Sequence, residues 1–233
     1  MNRKIGIGLI IATGLIHLAT LSVDSEPLHW VFKLLPMVLI ITLAVQSAPA
    51  ESKRPGAYKG LIVTGLLFSI AGDAFLLLPD EQWFTFGLGA FLIGHLFYIA
   101  AMATRLRGTM AGWISVLPIG VYSFVLGSKF YDSLHAEGGE SGLWIPVLVY
   151  ILAIAIMCWT AVLSGNRYAA IGAILFVASD SILAWNKFVS DVPASGILIM
   201  STYFAAQLFI AGSISEKFFP TAKSSGRGFG VGQ

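Results

Sequence analysis

The sequence has the composition of a membrane protein. Of its 233 residues, 57% are hydrophobic and only 11% are charged, whereas a soluble domain contains about 25% charged residues. The net charge of +2 is small, and the single cysteine, Cys158, excludes both a disulfide framework and a cysteine-based metal site. We therefore expect an integral membrane protein whose surroundings are membrane lipid, with no nucleic-acid partner.

Hydropathy predicts an all-α fold with eight transmembrane helices. Each apolar run approaches the ~20 residues that cross the hydrocarbon layer. The first run follows basic residues, as in a signal peptide, but it is long and no cleavage site follows it. The predicted spans are residues 5–23, 30–46, 60–78, 84–103, 112–127, 143–163, 168–185 and 194–214. Residues 1–219 then form one polytopic membrane domain, and residues 220–233 a disordered cytoplasmic tail.

The loops between the spans alternate in charge. One set comprises the N-terminus, loops 47–59, 104–111 and 164–167, and the C-terminal tail, and it holds 11 of the 14 basic residues. The other set comprises loops 24–29, 79–83, 128–142 and 186–193. It holds two lysines and eight acidic residues. We call the two ends of the bundle the basic end and the acidic end. The positive-inside rule places the basic end and both termini in the cytoplasm, and the short loops favour a bacterial inner membrane.

Two carboxylic acids interrupt the apolar spans. Asp73 lies in the third span and Asp180 in the seventh. An Asp at the centre of a membrane helix costs roughly 2.5–3.5 kcal/mol on insertion scales, so such residues are usually functional. The segment around Asp180, with sequence ASDSIL, resembles AGDAFL around Asp73. Because these two spans run in the same direction, the likeness favours a four-plus-four repeat.

Helical geometry places several polar side chains at similar depths. Asp73 lies six residues before Pro79, and Asp180 lies six before Asn186, so both should lie roughly 9 Å from the acidic end at the usual helical rise. Lys33 enters its span from the same end, and His95 lies nearer the midplane. Lipid cannot solvate these groups, so we expect them to face a shared polar cavity.

Simpler roles are open for each of these residues. Lys33 could extend to the lipid head groups, and His17, in the first span, could form a hydrogen bond between helices. The two acids could form a structural ion pair or a proton path. Four uncharged side chains could serve in packing, in hydrogen bonds between helices or in capping a helix end. These four are Tyr98, Asn186, Tyr203 and Gln207.

Two acids in one apolar cavity would hold a proton between them. Such a pair can act as general acid and general base, which is hydrolytic chemistry without a metal, a cofactor or a covalent nucleophile. The sequence lacks the G-x-S-x-G motif of serine hydrolases, the H-E-x-x-H motif of zinc proteases and a glycine-rich phosphate loop. The residues therefore favour acid–base chemistry by the two carboxyl groups.

The order and spacing of these residues resemble those of the YhhN-like lysoplasmalogenases, a family of eight-span membrane proteins. The family pattern has a Lys early in the second span, then S-x-x-G-D, a histidine–tyrosine segment, a late S-D segment, an Asn-x-Phe, and a Tyr and a Gln in the last span. The matching residues here are Lys33; Ser69, Gly72 and Asp73; Phe86, Gly87 or Gly89, Phe91, His95 and Tyr98; Gly172, Ala173, Leu175, Phe176, Ser179 and Asp180; Asn186 and Phe188; and Tyr203 and Gln207.

The resemblance implies an enzyme that hydrolyses the vinyl ether bond of lysoplasmalogens. The products would be a fatty aldehyde and glycerophosphoethanolamine or glycerophosphocholine, and the substrate a lysophospholipid. The catalytic residues implied are Asp73, Asp180 and His95; those implied for substrate binding are Lys33, Asn186, Tyr98, Tyr203 and Gln207. Two other functions also fit acids within membrane spans: a proton-coupled transporter, and a lipid-binding protein without catalytic activity.

Overall fold

A computed structural model describes residues 2–50, 55–80 and 82–215. Within these ranges the regular structure is entirely helical. The α-helices are α1 (Arg3–Thr20), α2 (Glu26–Gln46), α3 (Pro55–Phe75), α4 (Gln82–Ala103), α5 (Met110–Ile114), α6 (Val116–Leu134), α7 (Trp144–Leu163), α8 (Arg167–Phe188) and α9 (Ser195–Gly212). A short 3₁₀ helix, Ser141–Leu143, precedes α7. The predicted tail, residues 220–233, lies outside the described residues.

Eight helical segments among the described residues are long and apolar enough to cross a membrane. They are α1 to α4, the α5–α6 pair, α7 with its 3₁₀ turn, α8 and α9. The prediction of an all-α fold with eight transmembrane helices is therefore confirmed. The orientation of the termini and the four-plus-four repeat stay predictions.

The fifth span differs most from its predicted bounds of 112–127. It runs over Met110–Leu134 and is divided at Ser115 between α5 and α6. Pro118 explains the division: it lacks an N–H, and its ring clashes with the carbonyl of residue 114 in a continuous helix. At the other end, α6 continues beyond the predicted bound because Phe130 and Leu134 are buried against neighbouring helices.

Most helices pack mainly against the helix that precedes or follows them in the sequence. The most extensive contacts are those of α3 with α4, α8 with α9 and α1 with α2, while α7 joins α4 to the second half of the bundle. Gly72 permits the α3–α4 contact, since a Cβ atom there would lie 2.7 Å from the ring of Phe91. This contact fixes the last turn of α3, where Asp73 lies. Helix α6 is peripheral and packs mainly on α7 and α8.

Hydrogen bonds and a cation–π contact hold the helices together at the basic end. The hydroxyl groups of Tyr58 and Ser213 are hydrogen-bonded at 2.7 Å. The guanidinium of Arg105 lies 3.5 Å from the centre of the Tyr58 ring, and its Nη1 donates to the Ser213 carbonyl at 3.2 Å. Asn166 Nδ2 donates to the same carbonyl at 3.2 Å. These bonds tie α3, α8 and α9 together at the end of the bundle remote from Asp73.

Candidate active site

A cavity of about 290 Å³ lies in the bundle, and its polar wall is nearer the acidic end. Among the described residues, every long helix except α1 contributes to its lining. The wall is mostly apolar, with a small group of polar side chains. The polar side chains of the lining include Lys33, Asp73, Tyr150, Ser179, Asp180 and Tyr203.

Asp73 is held in the last turns of α3. Its side chain is buried, and the hydroxyl of Tyr203 on α9 donates a hydrogen bond to Oδ2 at 2.6 Å. Lys33, on α2, also lines the cavity and interacts electrostatically with this carboxyl group. Asp73 therefore has a hydroxyl donor on α9 and lies in the electrostatic field of a cation on α2.

Asp180 lies in the second half of α8. The hydroxyl of Tyr150 on α7 donates a hydrogen bond to its Oδ2. Asp180 lines the same cavity as Asp73, and the two carboxyl groups interact electrostatically. Each acid is thus held by a tyrosine through Oδ2, which leaves Oδ1 able to carry or accept a proton.

Tyr150 was missed by the sequence analysis. Its signal is weak but present, since it is the one hydroxyl in the first fourteen residues of α7, WIPVLVYILAIAIM. It also lies six residues from the acidic end of its helix, at about the depth predicted for both acids. A lone hydroxyl in an aliphatic span usually finds a partner, and here that partner is Asp180.

Tyr98 and Gln207 form a hydrogen-bonded layer outside the cavity lining. Tyr98 donates to Gln207 Oε1 at 2.7 Å, and the Ser69 hydroxyl lies 3.4 Å from that of Tyr98. All three side chains are buried. Gln207 lies one turn beyond Tyr203 on α9, so this layer supports the helix that carries the donor to Asp73.

His95 is fully buried and is not part of the cavity lining. Its ring packs edge-on against Tyr150, at 5.2 Å between centroids, and against Phe176 at 4.7 Å. Neither ring nitrogen has a hydrogen-bond partner among the described residues. His95 therefore lies behind the tyrosine that binds Asp180.

Asn186 closes the loop between α8 and α9. Its Oδ1 accepts a hydrogen bond from the Val192 N–H at 2.9 Å, and it is not part of the cavity lining. This contact matches the helix-end role that the sequence left open. His17 is buried against Phe204, with 5.7 Å between ring centroids, and it too lies outside the lining.

The arrangement suits acid–base chemistry on an amphipathic molecule. Two carboxyl groups and a lysine lie on the wall of a cavity that is otherwise largely apolar. No group of three His, Cys, Asp or Glu side chains suited to a metal ion occurs in the part of the chain that the structure describes.

Comparisons with known proteins converge on one family. A model described as the YhhN family matches residues 28–214. Mouse lysoplasmalogenase TMEM86B is 33% identical over 86% of this chain and 82% of its own length. Bovine lysoplasmalogenase TMEM86A is 37% identical over 68% of the chain and 67% of its own length. A lysoplasmalogenase of Mycobacterium tuberculosis is 36% identical, with coverages of 72% and 66%. No solved structure matches the chain.

Proposed function

The chain belongs to the YhhN family, and on this basis we propose that it is a lysoplasmalogenase. It would hydrolyse the vinyl ether bond of 1-alkenyl lysophospholipids to a fatty aldehyde and glycerophosphoethanolamine or glycerophosphocholine. The observation that carries the proposal is that Asp73 and Asp180 line the same cavity and that each accepts a hydrogen bond from a tyrosine. The names of the relatives support the same activity.

We assign one proton to the two carboxyl groups, because two neighbouring negative charges in an apolar cavity are strongly unfavourable. Lys33 interacts electrostatically with Asp73 and can balance a negative charge there. The proton is therefore assigned to Asp180, whose Oδ2 accepts the Tyr150 hydrogen bond. Asp180 is the general acid and Asp73 the general base.

In the first step Asp180 protonates the vinyl ether carbon that is not bonded to oxygen. The electron pair of the double bond forms the new C–H bond, and the neighbouring carbon becomes part of an oxocarbenium ion. Ionised Asp73 stabilises this cation and takes a proton from the water that adds to it. The product of this step is a hemiacetal.

The second step returns the site to its starting state. Asp180, now ionised, takes the proton of the hemiacetal hydroxyl, while Asp73 protonates the departing glycerol oxygen. The C–O bond breaks to give the aldehyde and the glycerophospho product, and one water is consumed. Of the residues predicted to bind the substrate, Lys33 and Tyr203 line the cavity. We assign Lys33 to the substrate phosphate. We assign Tyr203 to the orientation of Asp73.

The test is aldehyde release by the purified protein in detergent micelles. We expect Asp73→Asn and Asp180→Asn each to abolish release while the folded yield is unchanged, because each removes one partner in proton transfer. Asp132→Asn is the matched control, since Asp132 is exposed on α6. If either variant kept more than about a tenth of the wild-type rate, its loss would be less than tenfold. That acid would then not be a partner in proton transfer.

The same assay separates the alternative functions. Turnover in micelles contradicts a pure transporter, which needs two compartments, and a lipid-binding protein would release no aldehyde at all. The rate should be bell-shaped in pH, because a doubly protonated pair lacks the base and a doubly ionised pair lacks the acid.

A further inference from the structure

The cavity continues beyond the two carboxyl groups as an apolar arm between α6 and α7. We define the α6–α7 arm by Pro118, Ile119, Ile154, Ala155 and Cys158, all of which line the cavity. Cys158 lies eight residues after Tyr150 on α7, which is about 12 Å deeper at the helical rise of ~1.5 Å per residue. The α8 lining stops at Val177, so the deep end is formed by α6 and α7.

A groove on the outer surface between α6 and α8 shares a wall with this cavity. Tyr122, Leu126 and Ser181 line both the groove and the cavity. Tyr122 is 46% exposed, and its hydroxyl donates to Ser181 Oγ at 2.9 Å. Ser181 in turn donates to the Val177 carbonyl at 2.6 Å. We call this boundary the α6–α8 seam. The Tyr122–Ser181 hydrogen bond crosses it, and nearer the acidic end the Ser133 hydroxyl on α6 donates a second hydrogen bond to the Phe188 carbonyl on α8.

Helix α6 is the element best placed to move at the seam. It packs mainly on α7 and α8, and its outward face is apolar, with Leu117, Val121 and Phe124 each more than 60% exposed. In a bundle of eight membrane spans, these side chains face the hydrocarbon of the bilayer. The seam therefore separates the cavity from lipid and not from water.

The division of the cavity into a polar part and an apolar arm matches the division of a lysophospholipid into a polar head and a hydrocarbon tail. Lys33 and the two carboxyl groups lie at similar depths near the acidic end, and the apolar arm lies deeper. The lipid has a phosphate, then the ether linkage, then a hydrocarbon tail. An apolar arm of this depth offers a tail apolar contact and offers a polar head group no partner.

We propose that the substrate enters sideways from the bilayer through the α6–α8 seam and that its hydrocarbon chain lies in the α6–α7 arm. This inference rests on the proposed function for the identity of the lipid. It makes Ala155 and Cys158 determinants of chain length, and it makes the Tyr122–Ser181 contact part of the entrance.

The arm is tested by filling it. In Ala155→Phe the added ring occupies the arm about 7.5 Å beyond the level of Tyr150. The probes are saturated alkyl-ether lysophosphatidylcholines with hexadecyl and octyl chains, which lack the vinyl ether and cannot be hydrolysed by this chemistry. We expect hexadecyl binding to weaken at least about tenfold, or ~1.4 kcal/mol, while octyl binding changes less than about twofold.

Ile156→Phe is the matched control, because Ile156 is on the same helix but is 45% exposed on its surface. Equal weakening of both probes, or no weakening of either, would overturn the arm assignment. The binding readout is independent of catalysis. A chain-length effect in a protein that releases no aldehyde would reject only the proposed function, whereas turnover with no chain-length effect would reject only the arm.

The seam is tested by locking it. Tyr122→Cys and Ser181→Cys are combined in the otherwise native chain, in which Cys158 is buried, and the two new thiols are joined by a short bis-methanethiosulfonate linker. We expect aldehyde release to fall at least about tenfold on crosslinking and to recover on reduction, whereas either single cysteine treated in the same way should show no reversible loss. A crosslinked protein that hydrolyses as fast as its reduced form would show that the substrate enters elsewhere.

Discussion

At the scale of single residues, the site depends on two tyrosines that hold two acids. Tyr203 donates to Asp73 and Tyr150 donates to Asp180. We expect Tyr150→Phe and Tyr203→Phe each to lower kcat/KM for aldehyde release by about ten- to a hundredfold. Asp73 is ionised at the start, and Asp180 becomes ionised as it gives up its proton. A hydrogen bond to a charged group contributes about 1.5–3 kcal/mol, and the ring, with its packing, is retained.

Tyr131→Phe is the control for these variants, because Tyr131 is exposed on α6 and is not part of the cavity lining. Circular dichroism and the apparent unfolding midpoint show whether each variant is folded. Wild-type kcat/KM in a folded Tyr150→Phe protein would mean that Asp180 needs no donor from α7.

Residue chemistry also explains what the sequence could and could not predict about the site. Asp73, Asp180 and Lys33 are identifiable because a charge within a membrane span is costly, and all three line the cavity. A tyrosine hydroxyl costs far less to bury, so Tyr150 carried no comparable signal. Helical rise gives the depth of His95 but not its neighbours, and only the packed structure places it behind Tyr150.

At the scale of elements, the α8–α9 interface depends on a close backbone approach. A Cβ atom at Gly172 would lie 2.8 Å from the Ile210 side chain and 2.9 Å from the carbonyl oxygen of Ala206. Backbone atoms cannot turn away, so Gly172→Ala must push the helices apart. We expect a loss of stability of about 1–3 kcal/mol, typical of overpacking, measured as a lower midpoint of thermal unfolding in detergent.

Gly89→Ala is the matched control for this change. Gly89 is also helical, but a Cβ atom there would meet nothing within 4 Å, and alanine favours a helix over glycine by up to about 1 kcal/mol. Its midpoint should be unchanged or higher. If the two variants had the same midpoint, the α8–α9 contact would not be limiting for stability.

Helix number was predictable from the sequence, whereas the bounds of α6 were not. Hydropathy favours an end near Gly127 because Lys129 and Asp132 follow. The helix continues to Leu134 because those two charges are exposed while Phe130 and Leu134 are buried. An amphipathic end of this kind has a low mean hydropathy, although one of its faces is fully packed.

At the scale of the whole molecule, the four-plus-four repeat stays a prediction. It would relate the third span to the seventh and the fourth to the eighth. The tyrosine donors do not follow this relation, since Asp73 is bound from the eighth span and Asp180 from the sixth. If the two halves share an origin, their acids have acquired different partners.

The orientation of the bundle follows from its charges and can be measured directly. The basic end should face the cytoplasm, because cytoplasmic loops retain Lys and Arg during insertion. In a Cys158→Ala background, we expect Glu137→Cys, at the acidic end, to react with a membrane-impermeant maleimide in intact cells. Arg107→Cys, at the basic end, should react only after permeabilisation; both residues are exposed, so accessibility within the protein is matched.

The opposite labelling pattern would reverse the assignment, and labelling of both cysteines in permeabilised cells is the control for reactivity. The outcome also decides which leaflet supplies the substrate. Lys33 is seven residues into α2, which begins at the acidic end, and the cavity deepens from there toward the basic end. An acidic end that faces outward would therefore place the substrate phosphate at the outer leaflet, with its hydrocarbon chain pointing toward the membrane midplane.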